Sequence, residues 1–223
     1  MKRKFLFLIL PLTFLAFMSL QNPKPVKVIF FGDSITEVGI QPGGYIDRMR
    51  KMLKEKNLTN YQLIGAGVSG NKVYDLYLRL EDDVINQKPD WVLIYVGVND
   101  VWHKKSFGTG TDPDKFEKFY AAIIRKLQTH GIQVALCTPA VIGEKADGKN
   151  ELDGDLNKFS QIIRNLAAKY DLPLCDLRRT FMDYLAQNNK ENKEKGLLTT
   201  DGVHLNDAGN QLVAEQMLMI IIK

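Results

Sequence analysis

The sequence has few of the residues that build disulfide frameworks or metal centres. Only 2 cysteines and 3 histidines occur among 223 residues. Cys137 and Cys175 each lie in a short apolar run that predicts a buried strand, so we expect two buried free thiols. A single disulfide is the alternative if the two strands are neighbours. The histidines are scattered, and the sequence predicts neither a metal centre nor a cofactor.

A clustered excess of basic residues is also missing. The formal net charge of +4 includes Lys2, Arg3 and Lys4, and without these three residues the balance is +1. A nucleic-acid-binding domain requires lysine and arginine side chains gathered on one face of the folded domain. The charge pattern therefore predicts no nucleic-acid partner.

Long apolar runs are absent except at the N-terminus, where residues 5–20 follow the basic residues Lys2 to Lys4. This run is shorter than the ~20 residues that a bilayer span requires, and its flanks predict a secretory signal peptide over residues 1–20. An uncleaved anchor is the alternative, because Ala16 and Ser19 do not form a small-x-small cleavage pattern. We expect a periplasmic or secreted protein with one domain over residues 21–223.

Beyond this segment, short apolar runs alternate with stretches of helical periodicity. The predicted strands are residues 26–31, 61–64, 91–96, 132–136 and 172–177, and the predicted helices are 45–56, 73–86, 113–130, 155–170 and 206 to the C-terminus. Most of the strand runs are continuous apolar stretches, which is typical of a parallel sheet covered on both faces. The pattern predicts a three-layer α/β/α sandwich with a flavodoxin-like, five-stranded parallel sheet.

In such a fold, chemistry gathers at the carboxyl ends of the strands. Ser34 follows the first strand, the glycines up to Gly70 follow the second, and Asn99 follows the third. A serine there can present its hydroxyl, and an asparagine can donate its amide hydrogens to a developing oxyanion. Taken singly, a serine at a strand-to-helix turn is usually a helix cap, and the asparagine and the glycines are also ordinary turn residues.

Asp201 and His204 are three residues apart, directly before the predicted last helix. A carboxylate next to an imidazole can accept the Nδ1 proton while Nε2 takes a proton from a serine. His130 is expected to end a helix, where its charge suits the helix dipole. His103 and the neighbouring Trp102 either line the cleft or lie on the surface.

Four blocks now occur together and in chain order. They are Gly32-Asp33-Ser34, Gly70 after the second strand, Gly97-Val98-Asn99-Asp100 after the third, and Asp201-Gly202-Val203-His204 before the last helix. In this the chain resembles the GDSL, or SGNH, hydrolases. The resemblance implies Ser34 as nucleophile, Gly70, Asn99 and the Ser34 backbone N–H as oxyanion donors, His204 as general base and Asp201 as its orienting carboxylate. Gly65 and Leu205 depart from the family pattern, where asparagine and proline are common.

The resemblance implies a serine esterase that cleaves small acyl esters, and export favours a carbohydrate O-acetylesterase. Lysophospholipase or short-chain lipid esterase activity, acyl transfer to another alcohol, and a catalytically silent carbohydrate-binding protein are the alternatives. A dinucleotide-binding protein is a further alternative, since residues 65–70 match G-x-G-x-x-G. Two features count against this alternative. The glycine match follows the second strand instead of the first, and no acidic residue stands ~20 positions further on at the end of the third strand.

Overall fold

A parallel five-stranded sheet is the centre of the molecule. A computed structural model describes residues 24–222, so the predicted signal peptide lies outside the described residues. The strands are β1 (Val26–Gly32), β2 (Tyr61–Gly67), β3 (Trp91–Tyr95), β4 (Gln133–Cys137) and β5 (Leu174–Cys175). They lie in the order β2-β1-β3-β4-β5, and every neighbouring pair is parallel. This is the flavodoxin-like order, which confirms the predicted fold class.

Eight α-helices among the described residues cover the two faces of the sheet. They are α1 (Ser34–Gly39), α2 (Tyr45–Glu55), α3 (Val73–Asp83), α4 (Val98–Phe107), α5 (Pro113–Thr129), α6 (Asp153–Lys169), α7 (Leu177–Asn188) and α8 (Asp207–Ile221). A 3₁₀ turn, Ile85–Gln87, follows α3. One face of the sheet carries α1, α2, α7 and α8, and the other carries α3, α4, α5 and α6.

The strand sequences explain why both faces are covered. In β1, Val28 and Phe30 pack into the core under α2 and α8, whereas Ile29 and Phe31 pack into the core under α3 and α5. All four side chains are fully buried. A strand with no polar alternation has no face that water can solvate, so helices must pack on both sides of it.

The predicted fifth strand is wrong in length. Only Leu174 and Cys175 pair with β4, although the apolar run covers residues 172–177. Pro173 has no N–H to donate, and Asp176 accepts the Arg179 N–H at 3.3 Å as the N-cap of α7. The apolar run 172–177 therefore contains the short strand β5 and the first residue of α7.

Helices α1, α4 and α7 were not predicted. Helix α4 continues as far as Phe107. After β4 the chain is irregular up to α6, which begins at Asp153. Two of these helices begin directly at the strand ends that carry Ser34 and Asn99.

Cys137 and Cys175 are paired residues on the neighbouring strands β4 and β5, and both are buried free thiols. Burial raises the pKa of the Cys137 thiol well above its ordinary value, which keeps it protonated and unreactive. The prediction of free thiols is therefore confirmed.

The glycine run 65–70 does not form a phosphate-binding loop. Gly65 and Gly67 lie inside β2, and the backbone of α1 packs so closely on Gly67 that a Cβ there would come within 2.1 Å of the Glu37 nitrogen. Across residues 24–222, none of the helices combines the length and apolar character needed to cross a membrane.

Candidate active site

Ser34 is the first residue of α1 and stands at the carboxyl end of β1. Asp33 caps this helix by accepting the Ile35 N–H at 3.0 Å. The backbone N–H of a first-turn residue has no partner within its helix, so the Ser34 N–H is available to another acceptor. Its hydroxyl lies 3.0 Å from Nε2 of His204, which is 170 positions away in the sequence.

His204 is held by Asp201, whose side chain serves both the ring and the backbone of the turn. Asp201 Oδ2 lies 2.7 Å from His204 Nδ1, and Asp201 Oδ1 accepts the backbone N–H groups of Val203 and His204 at 2.9 and 2.8 Å. The structure thus brings Ser34, His204 and Asp201 into one hydrogen-bonded chain. With Nδ1–H donated to the carboxylate, Nε2 is left as the acceptor that faces the serine.

The carboxylates of the site titrate in opposite directions. Burial alone would raise the pKa of Asp201, but hydrogen bonds from the His204 ring and from two backbone N–H groups lower it. Burial, with a smaller contribution from the nearby Asp100, raises the pKa of Asp33 to about 7 against the lowering effect of the Ile35 N–H. Asp201 is therefore the carboxylate equipped to stabilise a charged imidazole.

Asn99 and Gly70 lie at the ends of the two strands that flank β1. Asn99 is 2% exposed, and its Nδ2 donates one hydrogen bond, 3.2 Å long, to the carbonyl of Asn71, which leaves its second hydrogen free. Gly70 has φ +78°, which glycine adopts without strain. Gly97, with φ +134°, lets the chain turn from β3 into α4 and brings Asn99 to this edge.

Three side chains hold the Gly70 loop, and the sequence analysis missed all of them. Glu37 on α1 accepts the Ser69 N–H at 2.7 Å, and the buried Lys72 donates to the Gly70 carbonyl at 2.9 Å. Arg79 on α3 has a wider role: it donates to the carbonyls of Gly32 and Ala66 and to the side chain of Asn71, at 2.7, 3.1 and 2.7 Å respectively. Its guanidinium also lies 4.5 Å from the centre of the Phe31 ring.

A buried carboxylate holds the segment before Asp201. Glu144 is fully buried and accepts the N–H groups of Leu197, Leu198 and Thr199 and the Thr199 hydroxyl, at 2.5 to 2.8 Å. The adjacent Gly143 donates its N–H to the Gly202 carbonyl at 2.8 Å. These bonds fasten the turn that carries Asp201 and His204 to the loop after β4.

Aromatic residues of α4 form one wall of the site. The Trp102 ring meets the His204 ring edge-on at 6.4 Å and stands 5.7 Å from the His103 ring. His103 lies against Gly70, where a Cβ would be 3.7 Å from its Cε1. Burial, together with the nearby Lys72, lowers the pKa of His103. His130, by contrast, is at the exposed end of α5, where its Nδ1 lies 2.8 Å from the Lys126 carbonyl.

No group of three or more histidine, cysteine, aspartate or glutamate side chains in residues 24–222 is arranged to hold a metal ion. The sequence pattern that carries this site is shared with a known family: the model of the GDSL-like lipase/acylhydrolase family matches residues 30–212. The chain belongs to this family. It is a carboxylic ester hydrolase, as the sequence analysis predicted.

Solved structures of related enzymes share the fold. An acetyl xylan esterase is 60% identical, with a TM-score of 0.87, and the match covers 88% of this chain and 100% of that one. The acetylxylan esterase of Geobacillus stearothermophilus is 26% identical, with a TM-score of 0.78 over 90% of this chain and 95% of that chain. An uncharacterized lipoprotein of Bacillus subtilis is 26% identical over 74% of this chain and 75% of its own length.

Variants of the Geobacillus esterase that are described as catalytic mutants replace a serine, an aspartate and a histidine by alanine. The aspartate and the histidine of that enzyme are three positions apart, as Asp201 and His204 are in this chain.

Proposed function

We propose that this protein removes O-acetyl groups from carbohydrates, with Ser34 as nucleophile, His204 as general base and Asp201 as its orienting carboxylate. The hydrogen-bonded chain from Ser34 through His204 to Asp201, at 3.0 and 2.7 Å, carries the proposal. The acetylxylan esterases among its relatives support the choice of acetyl and of a carbohydrate alcohol.

In the proposed reaction, the Ser34 oxygen attacks the acetyl carbonyl carbon while its proton passes to Nε2 of His204. The tetrahedral intermediate collapses when the bond to the sugar oxygen breaks, and His204 returns the proton to that oxygen. Water then attacks the acetyl-enzyme with the same histidine as base, which releases acetate and restores the serine. Asp201 stabilises the imidazolium that forms in each half of the cycle.

The N–H groups of Ser34 and Gly70 and the free amide hydrogen of Asn99 are the proposed oxyanion donors. Asn99 is buried and is held by its bond to Asn71, so its orientation is set before the substrate arrives. Preorganised donors in a site that excludes water stabilise the developing charge, typically by ~3 to 4 kcal/mol for one donor.

The test is acetate release from p-nitrophenyl acetate and from acetylated xylooligosaccharides. Ser34→Ala should abolish release from both substrates while the protein remains folded. Ser160→Ala is the matched control, because its buried hydroxyl has no hydrogen-bond partner among the described residues and lies on α6. Full activity of a folded Ser34→Ala protein would exclude the serine mechanism.

Short-chain lipid esterase activity and acyl transfer use the same groups, and the same assay separates them. A higher kcat/KM on short-chain glycerol or lysophospholipid esters than on acetylated oligosaccharides would replace the carbohydrate assignment. If adding a second alcohol yields a new ester and less free acetate, the enzyme is a transferase.

We also propose that residues 21–223 form the hydrolase domain and that residues 1–20 direct its export. The basic residues before the apolar run support the second part, as does the related lipoprotein of Bacillus subtilis. Fractionation of cells that produce the full chain, followed by mass spectrometry of the N-terminus, tests both. An intact N-terminus in the cytoplasmic fraction would contradict export.

A further inference from the structure

A cleft of about 620 Å³ opens beside Asp201 and Trp102, two residues that contact His204, and the reaction steps above do not use it. It is bounded by the end of α4, the irregular loop between β4 and α6, and the turn that carries Asp201. We call it the side cleft. None of Ser34, Gly70, Asn99 and His204 lines it, and it meets the site through Asp201 and Trp102, both of which contact the His204 ring.

This position has a chemical consequence. In the proposed mechanism His204 protonates the departing sugar oxygen, so the alcohol part of the ester leaves on the side of His204. The side cleft begins at Asp201, Gly202 and Val203, and it shares Trp102 with the wall that meets the His204 ring. A volume of about 620 Å³ far exceeds the need of an acetyl group and lies within the range of ~300 to 1,000 Å³ typical of ligand sites.

The lining of the side cleft combines an apolar surface with a positive rim. Trp102, Ile142, Leu152 and Val203 supply the apolar surface, on which the apolar face of a sugar ring can pack. Four lysines also line it: Lys105, Lys145, Lys149 and Lys195. They come from three separate segments of a chain whose domain is otherwise almost neutral.

Two of these lysines are already paired, and two are not. Lys105 pairs with Glu151, and Lys145 lies 3.6 Å from Glu194. The third carboxylate of the lining, Asp201, is engaged by His204. Among the described residues, no carboxylate lies within salt-bridge distance of Lys149 or Lys195. These two exposed ammonium groups therefore leave the rim with an excess of positive charge.

We propose that the side cleft binds the glycan part of the substrate and selects an oligosaccharide that carries a carboxylate, such as a uronic acid substituent. This rests on the proposed function, since it places the sugar on the leaving-group side of Ser34. Trp102 carries a sugar ring, and Lys149 and Lys195 bind the carboxylate.

The kinetic test compares acetylated xylooligosaccharides of equal length with and without one glucuronic acid substituent. Wild-type kcat/KM should be roughly threefold to tenfold higher for the acidic substrate at low ionic strength, as expected of two exposed ion pairs. The ratio should fall toward one in 0.5 M salt, where the Debye length is only a few ångströms. A ratio of one at low salt overturns the preference for an acidic chain.

The double variant Lys149→Gln/Lys195→Gln tests the location. Its ratio should be close to one at low salt, whereas the matched control Lys54→Gln/Lys56→Gln should keep the wild-type ratio. Lys54 is on α2, Lys56 directly follows that helix, and neither lines the side cleft. A ratio that stays high in Lys149→Gln/Lys195→Gln overturns the assignment to this cleft.

Binding to Ser34→Ala protein by calorimetry gives a readout that does not depend on hydrolysis. The acidic oligosaccharide should bind roughly threefold to tenfold more tightly than the neutral one, and the lysine double variant in this background should lose the difference. If wild type cleaves no ester but this binding difference is present, the proposed function fails and the side cleft stands. Equal binding of both oligosaccharides overturns the cleft proposal, whatever the esterase assay shows.

Discussion

Ser34 and Asn99 stand at the carboxyl ends of β1 and β3, whereas Asp201 and His204 lie on an irregular segment before α8. The first pair is almost fully buried, at 9% and 2% exposure, while the side chains of His204 and Asp201 are 37% and 46% exposed. We call Ser34 and Asn99 the sheet half of the site, and the strands of the central sheet fix their positions. We call Asp201 and His204 the loop half, and polar contacts from side chains fix their positions.

Those contacts show what a loop needs to hold an imidazole within hydrogen-bond distance of a serine hydroxyl. Glu144 accepts backbone N–H groups of the segment before Asp201. Directly after the turn, Asn206 caps α8 by accepting the Gly209 N–H at 3.0 Å. A backbone without a ladder or helix must find its partners in side chains, because unpaired buried groups destabilise the folded state. Precision in the two halves therefore has different origins, and mutations can separate them.

The largest effect is expected where the two halves meet. Ser34→Ala, His204→Ala and the double variant should each lower kcat by a similar factor, on the order of 10⁴ to 10⁶, because the two groups act as one unit. The measurement is kcat on p-nitrophenyl acetate, with circular dichroism to verify folding. If the factor by which the double variant lowers kcat equals the product of the two single factors, the coupling is contradicted.

On the sheet half, Asn99→Ala should lower kcat by about 10²- to 10³-fold with little change in KM, since the amide acts on charge that develops in the transition state. Thermal unfolding should show only a small loss of stability, of about 1 kcal/mol for one hydrogen bond. Asn165→Ala on the exposed side of α6 is the control. A rise in KM with unchanged kcat would show that Asn99 binds the substrate and does not stabilise the oxyanion.

On the loop half, Glu144→Gln should affect stability and catalysis together. The amide hydrogens of glutamine would face N–H donors that the carboxylate now accepts, which costs about 1 to 3 kcal/mol in the free energy of unfolding. Loosening of the Asp201 turn should also lower kcat by about tenfold or more. Glu191→Gln, an exposed change on the same side of the molecule, is the control for thermal unfolding and kcat. Unchanged kcat would show that the turn holds without Glu144.

The smallest effect is a pH dependence confined to the sheet half. Burial raises the pKa of Asp100 from its ordinary 3.8 to about 7, although nearby hydrogen-bond donors lower it. The folded state therefore holds a proton that the unfolded chain releases above about pH 4, and this contribution to stability is lost as the pH rises from there through about 7. The melting temperature should fall between about pH 4.5 and 7, and it should fall less in Asp100→Asn than in wild type.

The exposed Asp114→Asn is the matched control for this slope. An Asp100→Asn protein whose melting temperature declines as steeply as that of wild type would show that the slope arises at other groups. Because Asp100 also accepts the Val73 N–H, at 3.2 Å, asparagine retains an acceptor for that donor and the variant isolates the charge.

The sequence predicted the sheet half well because its signals are local. Largely apolar runs marked the first four strands. The residues that follow β1 and β3 were recognised by their place at the strand ends together with the four sequence blocks that resemble the GDSL hydrolases. Helix α7 was missed although Leu177, Phe181 and Leu185 recur every four residues and are all buried. Its start was hidden because the apolar run of β5 continues into it.

The supports of the site were not predictable from one sequence. Arg79 contacts Gly32, 47 positions away, and Glu144 contacts Thr199, 55 positions away. A charged residue in a helix or a loop is usually solvated, and only the fold shows that these two are turned inward to bind backbone groups. By contrast, Asp201 and His204 are three residues apart, so their pairing was visible in the sequence.

The distance of 170 positions between Ser34 and His204 also orders events during synthesis. In the proposed mechanism, a growing chain that ends before residue 204 carries the nucleophile without its base. The turn is followed directly by α8, which packs on α2, where Arg48 bonds Asp207 and Gln211. We therefore expect esterase activity only from a chain whose last helix has been synthesised.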